Sequence, residues 1–112
     1  MSSGAELKLQ ELAEQRARYD AICARALALS DVTGVPPSDN SIAIILDVRR
    51  LVDDQLATLD QLRGQLEAGN GFLSGFTLWM SRRNSKRLEG LLDKAEKERR
   101  AAIAANGQGG AL

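Results

Sequence analysis

The sequence predicts an all-α protein that folds as an elongated antiparallel helical hairpin or three-helix bundle. The apolar residues, which are 44% of the chain, are mostly Leu, Ala, Ile and Val, and Leu and Ala are strong helix formers. The aromatic content is only 4%, whereas β-rich chains usually carry more aromatic side chains. Apolar residues also recur at three- and four-residue steps in three segments, which Gly- or Pro-rich links separate.

The first predicted helix covers about residues 4–30. Ser3 and Glu6 match the capping-box pattern, in which both side chains satisfy free backbone N–H groups at a helix start. The helix is expected to end before the stretch 34–37, because its Gly suits a helix C-terminus and its two Pro residues cannot continue a helix. The apolar face, which Gln15 interrupts, consists of Leu12, Tyr19, Ile22, Ala26 and Leu29.

The second predicted helix covers about residues 39–68, and either Ser38 or Asp39 can cap its N-terminus. The sequence Gly-Asn-Gly at 69–71 ends it, because such a triplet accommodates the left-handed backbone of a tight turn. The apolar face is broad, so this helix is expected to contact two neighbours. It consists of Ile45, Val48, Val52, Leu59, Leu62 and Leu66, widened by Ile44, Leu51 and Leu56.

The third predicted helix covers about residues 72–104. Its apolar residues fall into two groups, separated by the seven polar residues 81–87. None of those seven is Gly or Pro, which favours one continuous helix over a break near Asn84 and Ser85. Residues 1–105 are predicted to form a single domain, and the Gly-rich residues 106–112 a flexible tail.

An extended bundle of long helices exposes part of its apolar surface unless another protein covers it. The chain has 112 residues and two short links, which predicts up-down-up packing of the three helices. We therefore expect self-association, binding to another protein, or both.

The residue composition argues against enzymatic chemistry. The chain contains no His, the commonest general base and metal ligand, and its single Cys23 has no cysteine partner. Asp53 and Asp54 are adjacent on a helix and therefore point about 100° apart, which does not suit a metal site or a catalytic pair. We expect no catalytic, cofactor-binding or metal-binding residues and no small-molecule substrate.

Charge and hydropathy give an expectation about location and partners. The formal net charge is zero, which argues against strong attraction of the whole protein to nucleic acid or anionic lipid. The charge is unevenly spread, since residues 38–71 carry three basic and six acidic groups and residues 72–112 carry eight and four. No secretory signal or membrane-spanning stretch is apparent, so the sequence predicts a cytoplasmic protein.

One region is the candidate site for partner binding. Aromatic residues, Met and Arg anchor many protein interfaces, and this region combines an aromatic stretch with a run of cations. The candidate residues are Phe72, Phe76, Trp79, Met80, Arg82, Arg83, Lys86 and Arg87. A helical apolar stripe is more often core, so packing of 72–80 inside the bundle is the competing interpretation. The cations could equally be a solvated face or pair with the acidic second helix through Asp47, Asp53, Asp54 or Asp60.

These observations predict a non-enzymatic module for protein–protein interaction, such as an adaptor, chaperone, assembly factor or inhibitor. The first alternative is a nucleic-acid-binding protein that uses the basic run 82–87 together with Arg99 and Arg100. The second alternative is peripheral membrane binding through 72–87, where a basic run follows an apolar stretch.

Overall fold

The computed structural model describes residues 4–30, 34–72 and 74–110, which form three α-helices and no strand. Helix α1 spans Gly4–Leu29, α2 spans Asp39–Glu67 and α3 spans Ser74–Gly110. Each helix packs against both of the others in a body of 65 × 25 × 19 Å. The predicted elongated three-helix bundle is therefore confirmed. The predicted cap at Ser3 lies outside the described residues.

Helices α1 and α3 run parallel, and α2 runs antiparallel to both. Three ion pairs join α1 to α3 at a constant offset along the chain: Glu11 with Arg82, Arg18 with Glu89, and Arg25 with Glu96. A constant offset is the signature of parallel helices in register. The short links therefore give the up-down-up order that the sequence predicted.

The buried faces of α1 and α2 are the ones the sequence predicted. Their buried residues recur in alternating steps of three and four, as in coiled-coil packing. In α1 they are Leu12, Gln15, Tyr19, Ile22, Ala26 and Leu29. In α2 they are Ser41, Ile45, Val48, Val52, Leu59, Leu62 and Leu66, and half-buried Ile44, Leu51 and Leu56 pack beside them.

Both ends of α2 are capped by the residues that the sequence indicated. The backbone N–H of Ser41 donates to the Ser38 hydroxyl at 3.2 Å. At the C-terminus, Gly69 has a φ of 82°, and the N–H of Asn70 donates to the carbonyl of Gln65 at 2.7 Å. These contacts form a Schellman motif, which satisfies the last carbonyls of the helix.

Helix α3 is continuous through residues 81–87, as the sequence favoured, but its boundaries differ from the predicted 72 and 104. It begins at Ser74, whose N–H and hydroxyl both donate to the carbonyl of Gly71, at 3.1 and 2.6 Å. It ends at Gly110, so residues 105–110 have helical backbone although the sequence predicted a flexible tail from 106. The helix therefore includes the Gly-rich residues up to Gly110. The rest of the predicted tail, residues 111–112, lies outside the described residues.

The buried face of α3 is not the one that the apolar residues of 72–80 indicated. Its buried residues are Ser74, Leu78, Ser81, Ser85, Leu88, Leu92 and Ala95. The interpretation of Phe72, Phe76 and Trp79 as core is therefore wrong, because all three are exposed. The buried residues Leu88, Leu92 and Ala95 are three or four positions apart. The same spacing continues towards the N-terminus of α3, so the serines lie in the core and the aromatic residues lie on the opposite, exposed side.

The inward serines lie in a polar layer of the core. The Ser85 hydroxyl donates to the Arg82 carbonyl at 2.9 Å and contacts the amide oxygen of Gln15 at 3.4 Å. The Tyr19 hydroxyl donates to the carbonyl of Ser81 at 2.5 Å. The Ser81 hydroxyl oxygen is buried and has no hydrogen-bond partner among the described residues. This layer is therefore the least well satisfied part of the core.

We predict that Ser81→Ala raises the free energy of unfolding by about 1 kcal/mol, because it removes a buried hydroxyl without a partner. Ser85→Ala is the matched control and should lower it by about 1 kcal/mol, because it removes a buried hydroxyl that donates to the Arg82 carbonyl. Urea denaturation followed by circular dichroism measures both values. Equal effects of the two substitutions would contradict this account of the polar layer.

Burial raises the pKa of Tyr19 above its ordinary value of 10.0. A raised folded-state pKa means that the contribution to stability is fully present below pH 10.0 and is lost as the pH rises through the folded value. Tyr19 is the only tyrosine, so the phenolate absorbance of the native protein reports this group alone. We expect a midpoint above 10.0, and a midpoint at or below that value would contradict its burial.

Candidate functional site

The candidate site lies on the side of α3 that points away from α1 and α2. We call this surface the outer face of α3 and define it by Phe72, at the preceding turn, and by Phe76, Trp79, Arg83, Lys86 and Arg87. The exposed fractions are 95% for Phe72, 63% for Phe76 and 45% for Trp79. Large apolar residues exposed to this extent near one another mark interaction surfaces on soluble proteins.

The position of these residues follows from helix geometry. Successive residues on an α-helix are about 100° apart, so Phe76 and Arg83 fall nearly opposite the stripe that contains Ser81 and Ser85. The segment from 72 to 87 therefore has an inverted amphipathicity, because its large apolar residues face solvent and its small polar residues face the core. Its inner face carries small hydroxyl side chains around a single leucine, and its outer face carries the aromatic rings.

The aromatic and cationic side chains of the outer face contact each other. The rings of Phe76 and Trp79 are stacked, with centroids 6.1 Å apart and an interplanar angle of 30°. The guanidinium carbon of Arg83 lies 5.6 Å from the centroid of the Trp79 ring, within the range of a cation–π interaction. Trp79, Arg82, Arg83 and Lys86 line one open groove. Arg82 lies at the edge of this groove nearest α1, where it pairs with Glu11.

The structure separates Arg82 and Met80 from the other candidates. Arg82 is half-buried and forms an ion pair with Glu11 of α1, so its charge helps to join two helices. Met80 is half-buried as well. Among the described residues, Arg83, Lys86 and Arg87 form no ion pair. Three unpaired cations therefore follow the aromatic rings along the outer face.

Pairing of the basic run with the acidic α2, one of the interpretations left open by the sequence, is not observed among the described residues. Arg82 follows the buried Ser81 on the side of α3 that faces α1, and Asp60 of α2 pairs with Arg16 of α1 instead. Asp47 pairs within its own helix with Arg50, at 3.5 Å. The cations of α3 and the carboxylates of α2 do not meet because each helix directs its charges either to α1 or to solvent.

Ion pairs along the flank of the outer face fix the rotation of α3. Arg18 pairs with Glu89, and Arg25 donates to Glu96 at 2.9 Å and to Asp93 at 2.6 Å. The hydrogen bonds from Arg25 to Glu96 and Asp93 raise the pKa of its guanidinium above the usual value, so Arg25 stays charged. A rotation of α3 that buried the outer face would break these ion pairs with α1, so the ion pairs disfavour it.

The two further arginines proposed for nucleic-acid binding do not join the outer face. Arg99 donates to the carbonyl of Val35 in the link before α2, at 2.8 Å. Arg100 lies 3.9 Å from Glu96 on its own helix. Arg99 is twelve residues beyond Arg87, which is about 18 Å along a helix. Arg99 and Arg100 therefore do not extend the basic run 82–87.

Other candidate chemistry remains without support in the described part of the chain. Cys23 is a half-buried free thiol packed against the core. Asp53 and Asp54 are exposed. The described residues contain no group of three or more His, Cys, Asp or Glu that could hold a metal ion. Over the same residues, none of the helices has the length and apolar content required to cross a membrane.

Comparison with protein-family models, curated proteins and solved structures gave no significant match. The side chains of this chain are therefore the evidence for its function.

Proposed function

We propose that this protein is a non-enzymatic protein-interaction module, acting as an adaptor, chaperone, assembly factor or inhibitor, and that it binds its partner through the outer face of α3. The observation that carries the proposal is the inverted amphipathicity of 72–87. Phe76 and Trp79 face solvent while Ser81 and Ser85 occupy the core. A partner that covers the outer face would complete the burial that the bundle itself does not provide.

The energetics favour such a partner. Full burial of a large apolar side chain contributes about 1.5–3 kcal/mol, and aromatic residues supply most interface hot spots. The stack of Phe76 on Trp79, with Arg83 over the indole, already fixes the three side chains in one arrangement. A partner therefore loses less binding free energy to the ordering of side chains on this surface.

Nucleic-acid binding and peripheral membrane binding remain the alternative functions. Both need phosphate contacts from a basic surface, and only Arg83, Lys86 and Arg87 of the basic run are without an ion pair among the described residues. Arg99 and Arg100 lie too far along α3 to add to them. The exposed aromatic rings next to the cations favour protein binding, where such residues act as anchors.

Self-association is proposed on a separate surface. The end of α1 and the start of α2 lie at the same end of the bundle, and Leu27, Ile42 and Leu46 are all more than 40% exposed there. Sedimentation equilibrium should show an oligomer that Leu46→Glu shifts towards monomer, because the substitution places a charge in the apolar patch. A wild-type monomer at all concentrations would exclude self-association.

Photo-crosslinking tests the main proposal. The photoreactive phenylalanine analogue p-benzoylphenylalanine replaces Phe76, which is close to it in shape, and the variant is expressed in the native host. The matched control places the analogue at Ala57, which is exposed on the outer side of α2. We expect a light-dependent protein adduct from position 76 and none from position 57. Adducts only with lipid or nucleic acid, or none at all, would exclude protein binding through this face.

A further inference from the structure

We propose that the segment bound by the outer face of α3 is an acidic amphipathic helix of a different protein. This inference rests on the proposed function and adds the chemistry of the partner. It depends on three features of the outer face, namely its charge, the order of its aromatic and cationic residues, and its width.

The charge of the outer face has no compensation within the bundle. Residues 72–88 contain four basic residues and no acidic residue. Glu11 neutralises Arg82, which leaves Arg83, Lys86 and Arg87 without a carboxylate among the described residues. Three adjacent cations on an exposed helix face repel one another and attract a partner of opposite charge. The partner therefore carries negative charge opposite these three residues.

The order of the residues along α3 sets the pattern expected in the partner. Phe76 precedes Arg83 by seven residues, and Trp79 precedes Lys86 by the same number. Seven residues are about two helical turns, or about 10.5 Å. A partner helix lying along the outer face would place apolar side chains against the rings and Asp or Glu about two turns away. The partner segment is therefore both apolar and acidic on one face.

The width of the outer face favours a helix over an extended polyanion. The rings and the cations beside them lie within residues 76–87, about 17 Å along α3. Lys94 and Lys97 lie farther along α3, exposed and without an ion pair among the described residues, but no aromatic residue accompanies them. A short amphipathic helix covers the rings and the cations of 83–87 together, whereas an extended polyanion would contact the two lysines as well. Two copies of this chain joined through the outer face would bring six cations into one interface without an acidic group.

Charge reversal combined with the photo-crosslink at position 76 tests the inference. Arg83→Glu with Lys86→Glu changes two exposed cations beside the rings, and Lys94→Glu with Lys97→Glu makes the same change on exposed residues farther along α3. Circular dichroism checks that both variants fold. We expect the first pair to lower the protein-adduct yield at least about tenfold, and the second pair to leave it unchanged. Mass spectrometry of the adduct should place Asp or Glu within about two turns of the crosslinked residue.

The outcomes separate the two proposals. A protein adduct whose yield is insensitive to Arg83→Glu with Lys86→Glu, or whose crosslinked segment lacks acidic residues, overturns this inference and leaves the proposed function standing. An adduct with a second copy of this chain also overturns the inference. Absence of any protein adduct in the parent variant, or adducts with lipid or nucleic acid alone, overturns the proposed function as well.

Discussion

Leu92→Ala is expected to lower the free energy of unfolding by about 2–5 kcal/mol, the cost of a cavity left by a buried leucine. Leu92 is fully buried on α3, in the same stripe as Leu88 and Ala95. A domain of this size has a total stability of about 5–15 kcal/mol, so the substitution removes a large part of it. Urea denaturation followed by circular dichroism at the helical band gives the value.

Leu7→Ala is the control for this prediction. Leu7 is 56% exposed on α1, so the same substitution there should change stability by no more than about 0.5 kcal/mol. Similar costs at positions 7 and 92 would contradict the assignment of the buried stripe. The comparison holds the chemistry of the substitution constant and changes only the burial of the leucine.

Replacement of Phe76 and Trp79 together by Ser is expected to abolish partner binding while leaving the fold intact. Hot-spot aromatics contribute at least about 2 kcal/mol each to binding, so the loss of both, about 4 kcal/mol, should lower the affinity about 700-fold. Both side chains are exposed, so stability should change by no more than about 0.5 kcal/mol. Binding is measured by titration with the partner that the photo-crosslink identifies.

Leu46→Ser is the control for binding, because it removes an exposed apolar side chain at the other end of the bundle. It should leave the affinity for that partner unchanged. Two results would oppose the proposal: unaltered affinity in the double variant, or a loss of helical structure in it. The second result would mean that the two rings belong to the core.

The sequence was sufficient to predict α1 and α2, including their buried faces. Each helix has one long apolar stripe, from Leu12 to Leu29 and from Ile45 to Leu66, and the few exposed apolar residues, such as Leu27 and Leu46, do not form a second stripe of that length. Capping residues and turn residues such as Ser38 and Gly69 then define the ends of α2. Local pattern and tertiary packing favour the same answer in these helices, so sequence reasoning succeeds there.

The face of α3 could not be predicted from the local distribution of apolar residues. Between 72 and 80 the apolar residues point to the aromatic side, and the serines at 81 and 85 resemble a solvated surface. The C-terminal part of the helix decides the rotation, because Leu88 and Leu92 are buried and the helix is continuous. Counting back from Leu92 in alternating steps of four and three reaches Leu78 and the serines at 74, 81 and 85. This spacing would have identified them as buried residues.

The charge pairing could not be predicted either, because it depends on which helices run parallel. Within the candidate site, Trp79 contacts both Phe76 and Arg83, as residues three or four apart on one helix can. The role of Arg82 as a partner of Glu11 required the register between α1 and α3. Ion pairs between helices are set by that register and not by proximity in the sequence.

The central claim is that α3 turns its aromatic side to solvent and its serine side to the core. Acrylamide quenching of Trp79, the only tryptophan in the chain, tests this claim most directly. We predict a quenching slope for the native protein that is well above zero and below the slope of the urea-unfolded chain, because the side chain of Trp79 is 45% exposed. A native slope near zero, together with the blue-shifted emission of a buried indole, would show that the aromatic face lies in the core and would contradict the proposed binding surface.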